Sequence, residues 1–274
     1  MKYDLLILWL LPLSLKAQQP STFLKKAMLA NGQWEQLDAF SFRAARSTYN
    51  PWQSYAFDQP KAQKDVYDVH FDRKNKRFQN HEVTHYPGGY LFDFISLGRD
   101  STYYVYDVTK ARIGNSLLNL GKDQYTASYQ EQLSYFPYYI LKEILDSGDS
   151  LQLTHINQEV LIQRILKRGV QKIWLNAQTG TLNKYSRKED NNTITWHFED
   201  YTDVKGYRVP RSVKQVFSNQ KVVTDHLISF DIGEIKDAGL FNLPIGYREE
   251  ALWSISYRSP CIRRNQQFHY TTHS

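Results

Sequence analysis

The sequence predicts a mainly β (α+β) protein built on an antiparallel sheet that buries one face. Three observations predict it. Many successive segments alternate apolar and polar residues with period two. Short polar or Gly-containing turns separate them, so neighbours pair as antiparallel hairpins. Only a few segments carry helical spacing, which leaves helices as a minor component.

The first folded element is a helix over residues 21–31, where Phe23/Ala27 and Leu24/Met28 stand four apart and Asn31-Gly32 ends the run. A second short turn covers Trp34 to Phe40. Residues 65–72 place Tyr67, Val69 and Phe71 on one face and form a hairpin with 77–86 through Lys74-Asn75-Lys76. Pro87-Gly88-Gly89 breaks the chain, and 90–97 and 102–109 are two more strands around Gly98-Arg99-Asp100. Residues 110–130 are polar and mixed and receive no assignment. Residues 134–145 return to helical spacing, with Pro137 in the first turn and Tyr138, Leu141, Ile144 and Leu145 on one face.

A meander follows over 151–156, 159–167, 171–177, 181–187, 193–201, 207–217 and 221–232. Ile194, Trp196 and Phe198 share one face of their strand. Val222, Thr224, Ile228, Phe230 and Ile232 are read as one face of the last. Pro210 cannot donate to a ladder, which predicts an edge or a bulge there.

Composition narrows the function classes. The chain has 274 residues, 34 Lys+Arg against 28 Asp+Glu, 15% aromatic residues and one cysteine. The aromatic and β-branched content excludes a disordered chain. A lone Cys261 excludes an internal disulfide framework and any multi-cysteine metal site. Residues 1–18 have the layout of a secretory signal peptide: Lys2, then an apolar run from Leu5 to Leu15, too short to span a bilayer. The expected organisation is a signal peptide at 1–18, one domain at 20–247 and an irregular tail at 248–274. Export without a disulfide suits a bacterial envelope protein, periplasmic or extracellular.

Two stretches carry a family resemblance. IWLNAQTGTLNKYS at 173–186 resembles the strand, Asp/Asn-x-x-Thr-Gly, strand hairpin of the LolA/LolB-like group of outer-membrane lipoprotein carriers and sensors. FEDYTDVKGYRVPRSVK at 198–214 resembles that group's Asp-Tyr-x-x-Val-x-Gly-x-x-Pro segment through Asp200, Tyr201, Val204, Gly206 and Pro210. The resemblance implies a strongly curved, half-open antiparallel sheet or barrel with helices over its concave side. It also implies a concavity that holds lipid or acyl chains, or serves sensing or docking. Separately, RSTYNPWQSYAFDQP at 46–60 resembles the opening of the N-terminal accessory domain of exported metallo-β-lactamase-fold hydrolases. The H-x-H-x-D-H zinc signature of the hydrolase itself is missing from this chain.

No catalytic motif emerges, and the expectation is a non-enzymatic protein without cofactor or metal. His81-Glu82-Val83-Thr84-His85 matches H-E-x-x-H, whose zinc chemistry needs a helix. On a strand at ~3.3 Å per residue the two imidazoles stand about 13 Å apart, and neither could share an ion bound at about 2 Å. Arg73, Lys74, Lys76 and Arg77 are read as a solvated hairpin tip, with attraction to anionic head groups as the functional alternative. The candidate ligand-binding residues are the strand aromatics Phe92, Phe94, Tyr104, Tyr106, Trp174, Trp196 and Phe198, of which most are core and some line a cavity. The expected partner is a hydrophobic ligand or lipid, with an envelope protein beside it and no nucleic acid. The alternative is an accessory hydrolase domain.

Overall fold

Pro20 opens helix α1 (Pro20–Ala30), at a position where a missing backbone N–H is no loss. Phe23, Leu24, Ala27 and Met28 form its buried stripe, as their spacing predicts. A 3-10 turn (Trp34–Gln36) then carries Trp34 into the interior. The computed structural model describes residues 19–51, 63–86, 90–233, 235 and 237–251. The signal-peptide segment 1–18, the Pro87-Gly88-Gly89 break, most of the 46–60 motif, Cys261 and the tail beyond 251 lie outside the described residues.

Six strands follow: β1 (Ala39–Tyr49), β2 (Gln63–Asp72), β3 (Arg77–Tyr86), β4 (Tyr90–Arg99), β5 (Thr102–Asp107) and β6 (Ser116–Leu120). Helices α2 (Gly121–Leu133) and α3 (Pro137–Asp146) lead into β7 (Leu151–Ile156), β8 (Glu159–Leu166), β9 (Gly169–Asn176) and β10 (Leu182–Glu189). The chain continues through β11 (Asn192–Val204), β12 (Tyr207–Phe217), β13 (Val222–Ile232), a 3-10 turn (Ala238–Phe241) and β14 (Arg248–Ala251). These strands form one curved, unclosed sheet of 14, in the order β14-β6-β5-β4-β3-β2-β1-β13-β12-β11-β10-β9-β8-β7. The half-open curved sheet with few helices is therefore the architecture observed.

Several elements depart from the sequence reading. The unassigned stretch 110–130 holds β6 and most of α2, and β1 carries no earlier assignment. Helix α2 buries only Ser128 and Leu133, so it lacks an apolar stripe to read. The face proposed for 221–232 is broken by a bulge. Arg43 pairs with Ser229 but Ala44 with Leu227, which leaves Ile228 exposed between them. Val223, Asp225 and Phe230 are the buried residues of that strand. Residues 248–251, in the segment read as an irregular tail, pair parallel with β6.

Pro210 behaves as expected. It pairs with Tyr201 of β11, while the β12–β13 ladder spans only Ser212–Val216. Beyond Ser212 the two strands diverge, because β13 continues along β1 alone. Trp34 fills the split: it meets Tyr207 at 5.4 Å and Phe230 at 5.6 Å between ring centroids. Both recognisable turns of the meander seat the end of α1 beside this plug. Asn176 Oδ1 accepts the N–H groups of Gln178 and Thr179. The next residue, Gly180, lies against Ala27 and Ala30. Asp203 Oδ1 accepts from Gly206 N–H, and Arg208 N–H donates to the Asn31 carbonyl.

Candidate ligand-binding surface

The register sorts side chains between the two faces of the sheet. On the concave side one end is packed solid. Phe40, Phe42 and Phe136 interlock at 5.1–5.5 Å, and Tyr129 of α2 covers Phe71 and Phe78. The concavity is thus not hollow along its length, since aromatic rings from the helices occupy it. The other end holds the C-terminal part of β1, the N-terminal parts of β2, β4 and β13, and the C-terminal part of β3. The link after α2 reaches toward it, with Tyr135 stacked on Phe42 at 5.2 Å.

The seven candidate aromatics do not converge on one cavity. Phe92 and Phe94 follow β4 on the concave side, opposite Thr84 and Glu82, with their rings 6.2 Å apart. Trp196 also faces inward and stacks on Tyr185 at 4.9 Å, and Phe198 belongs to the core. Tyr104, Tyr106 and Trp174 take the convex face. Tyr106 lies under Tyr247, at 5.1 Å, and Lys184 Nζ sits 3.8 Å above the Trp174 ring. The segment around 237–251 makes a second layer there: Gln79 donates to the Leu240 carbonyl, Arg99 to that of Phe241, and the Phe241 side chain is buried.

The basic hairpin tip divides in the same way. Lys74 and Lys76 are exposed. Arg73 instead donates to the carbonyls of Trp34 and Leu37, and Arg77 pairs with Asp72 beneath the Phe241 ring. Half of the supposed solvated tip therefore holds layers together. His81 and His85 lie on strand β3 as expected, and His81 Nε2 is 2.7 Å from Asp93 Oδ1. Among the described residues no group of three or more His, Cys, Asp and Glu could hold a metal ion.

Sequence reasoning missed a set of polar groups on the concave face beside Phe92 and Phe94. Arg46 makes a two-pronged bond to the buried Asp225, Nε to Oδ1 at 2.7 Å and an Nη to Oδ2 at 3.1 Å. Its guanidinium lies 4.9 Å from the Tyr67 ring centre. Asp65, only 2% exposed, accepts from the Gln63 amide at 3.0 Å and 3.1 Å. Burial pushes its carboxyl above the usual range, against the lowering effect of the Gln63 and Thr84 hydrogen bonds. Glu82 is pushed up by burial as well, with Arg46 opposing. Burial and then Arg46 lower the ammonium of nearby Lys221. Alternation alone could have flagged the set: Asp65 continues the Tyr67, Val69, Phe71 face, and an acid on a core-facing parity is costly unless it is used.

No family model and no curated protein matches the sequence. Among solved structures, a DUF1329 family protein from Desulfovibrio piger aligns with a TM-score of 0.51 at 10% identity, over 82% of this chain and 98% of that one. The chain shares that protein's fold. A LolA superfamily protein from Nitrosomonas europaea aligns over 82% of this chain and 98% of its own, at 13% identity and a TM-score of 0.49. A β-barrel-like DUF1849 protein from Brucella abortus covers 72% of this chain and 99% of its own at 8% identity, with a TM-score of 0.31. At such identities the likeness is one of fold alone. No helix among the described residues is long and apolar enough to cross a membrane.

Proposed function

We propose that this is an exported envelope protein that binds a hydrophobic ligand, a lipid or acyl chain, along the concave-face rings Phe92, Phe94 and Trp196. The observation that carries the reading is the placement of half-buried rings. Phe92, Phe94 and Trp196 are half-buried and share the concave side, away from the Phe40, Phe42 and Phe136 packing. Apolar surface removed from water contributes roughly 25 cal/mol per Å². An alkyl chain laid along these rings gains that burial without displacing the packed end. The N-terminal apolar stretch supports export, and an envelope protein is the partner with which a carrier would exchange its ligand.

The test uses the full chain and the fluorescent hydrocarbon diphenylhexatriene. Saturable binding is expected, lost in Phe94→Asp and retained in Trp174→Ala, whose ring lies on the opposite face. Absence of binding by the folded wild-type protein overturns the reading.

A further inference from the structure

The convex face of β8–β12 carries lysines in excess of its ion pairs. Alternation turns Leu161, Gln163 and Ile165 of β8 outward, because Val160 and Ile162 are buried on the other side. The ladder register continues these positions as three neighbouring rows across the strands. Ile165 lies opposite Val170 and then Lys188, and Gln163 opposite Lys172 and then Ser186. Leu161 lies opposite Trp174, followed by Lys184, His197 and Lys214. Arg43, Arg46, Arg77, Arg99, Arg164 and Arg187 of the same sheet each hold a carboxylate. Lys172, Lys184, Lys188 and Lys214 hold none among the described residues.

Lys184 and Lys214 flank His197 directly across the ladder, an arrangement in which like charges repel. The acids of these strands do not relieve it. Glu159, Glu199 and Asp200 line a cleft at one end of the Lys184 and His197 pair, where Glu159 accepts from the Asn183 amide at 2.8 Å. None of the three forms an ion pair with a lysine among the described residues. Glu189 holds Arg187, and Asp203 caps Gly206. A second observation is independent of charge. Ile165 is 59% exposed in the row that ends in Lys188, and Leu161 and Trp174 are half-buried in the row that ends in Lys214. The face therefore sets exposed apolar surface beside unneutralised ammonium groups.

We propose that this convex face docks on the surface of an anionic lipid bilayer, with Lys172, Lys184, Lys188 and Lys214 against the lipid phosphates and Ile165 and Trp174 at head-group level. The inference goes beyond the ligand-binding reading and does not depend on it. Charge complementarity selects the partner, since each lysine held near an anionic lipid surface strengthens binding about fivefold. The apolar residues select a bilayer over a polyanionic chain in water. The head-group boundary accepts an aromatic or aliphatic side chain and a lysine side by side, and a hydrated polysaccharide gains nothing from the first. Docked in this way, the protein keeps its concave face turned away from the membrane.

The test is co-sedimentation of the full chain with vesicles of phosphatidylglycerol and phosphatidylcholine in equal parts, compared with phosphatidylcholine alone. Binding to the anionic vesicles is expected to be at least about tenfold stronger, and to weaken about tenfold as salt rises from about 0.1 M to about 0.5 M. Lys184→Glu with Lys214→Glu removes it. Lys25→Glu with Lys26→Glu, the same change of net charge at exposed positions of α1, does not. Ile165→Ser weakens vesicle binding about threefold and leaves binding to dextran sulfate unchanged. This exposed-site variant decides the matter even if the charge reversals fail to fold. Diphenylhexatriene binding, measured without vesicles, stays at the wild-type level in all of these variants, which separates this inference from the ligand reading. Equal binding to both kinds of vesicle overturns the inference. So does an equal loss in the Lys25, Lys26 pair, or binding of dextran sulfate without binding of vesicles.

Discussion

Gly32 packs so closely on Gly206 that a Cβ at position 32 would stand 2.7 Å from the Gly206 carbonyl oxygen and 3.1 Å from Tyr207 Cα. Both obstacles are backbone. Gly32 also has φ +106°, which side-chain-bearing residues rarely adopt. The contact joins the end of α1 to the β11–β12 turn, beside the place where β12 leaves β13.

Gly32→Ala is therefore expected to cost about 2–3 kcal/mol, from backbone strain and forced separation of the turn. Thermal unfolding of the variant measures it. Gly114, at φ +62° with open space around it, is the control. Gly114→Ala should cost only about 1 kcal/mol for its backbone conformation.

Trp34 is fully buried and touches the rings of Phe40, Phe136, Tyr138, Tyr139, Tyr207 and Phe230. Its indole N–H donates to the Asn31 carbonyl at 2.7 Å. Trp34→Ala opens a cavity in the split between β12 and β13 and should lower stability by about 3–5 kcal/mol in denaturant titration. A loss under 1 kcal/mol would mean that the split closes without its plug.

Asp225→Ala should be worse than removing both partners. The single change strands Arg46, whose side chain keeps about a third of its exposure and so recovers part of its hydration. About 2–3 kcal/mol is expected, and the double change Arg46→Met, Asp225→Leu should lie closer to the wild type. Urea midpoints of the two singles and the double give the coupling. Additive losses would contradict a shared ion pair.

Glu82→Gln should stabilise the protein only above acid pH. The folded state raises the Glu82 carboxyl above 4.5, so it holds its proton to higher pH than the unfolded chain does. Its contribution is most favourable below 4.5 and is lost as pH rises through the raised folded value. The variant has no such loss. Its thermal midpoint should match the wild type near pH 4 and exceed it at neutral pH, by an amount on the order of 1 kcal/mol. An unchanged or lower midpoint at neutral pH contradicts a carboxyl held up by desolvation.

The sheet was legible because its strands announce themselves one at a time. Tyr67, Val69 and Phe71 alternate, as do Ile194, Trp196 and Phe198, and the turns at Asn176–Gly180 and Asp203–Gly206 carry their own side-chain caps. What escaped depends on partners remote in sequence. Helix α2 is polar around most of its surface and is positioned by Tyr125 and Tyr129 lying on Phe78. The bulge at Ile228 exists only relative to β1, so no alternation within β13 reveals it. The candidate surface was half legible for the same reason. Period two pairs Phe92 with Phe94, but it cannot say that Tyr104 and Tyr106 meet a second layer or that Trp174 lies on the outside.

Between β6 and β7, near the two rims of the sheet, the chain has only α2, α3 and their short links. Laid flat, thirteen strands at about 4.8 Å would hold those rims roughly 58 Å apart. The 13 and 10 residues of the two helices reach only about 35 Å end to end at 1.5 Å per residue. Hydrogen-bonded turns at Ser134, Phe136 and Ser147 shorten the links. The helices thus act as a bowstring, and the string, not the bow, sets how wide the trough gapes. One added turn of α2 would let the rims relax outward by up to about 5 Å, so the spread of the curved sheet is written in the length of a single helix.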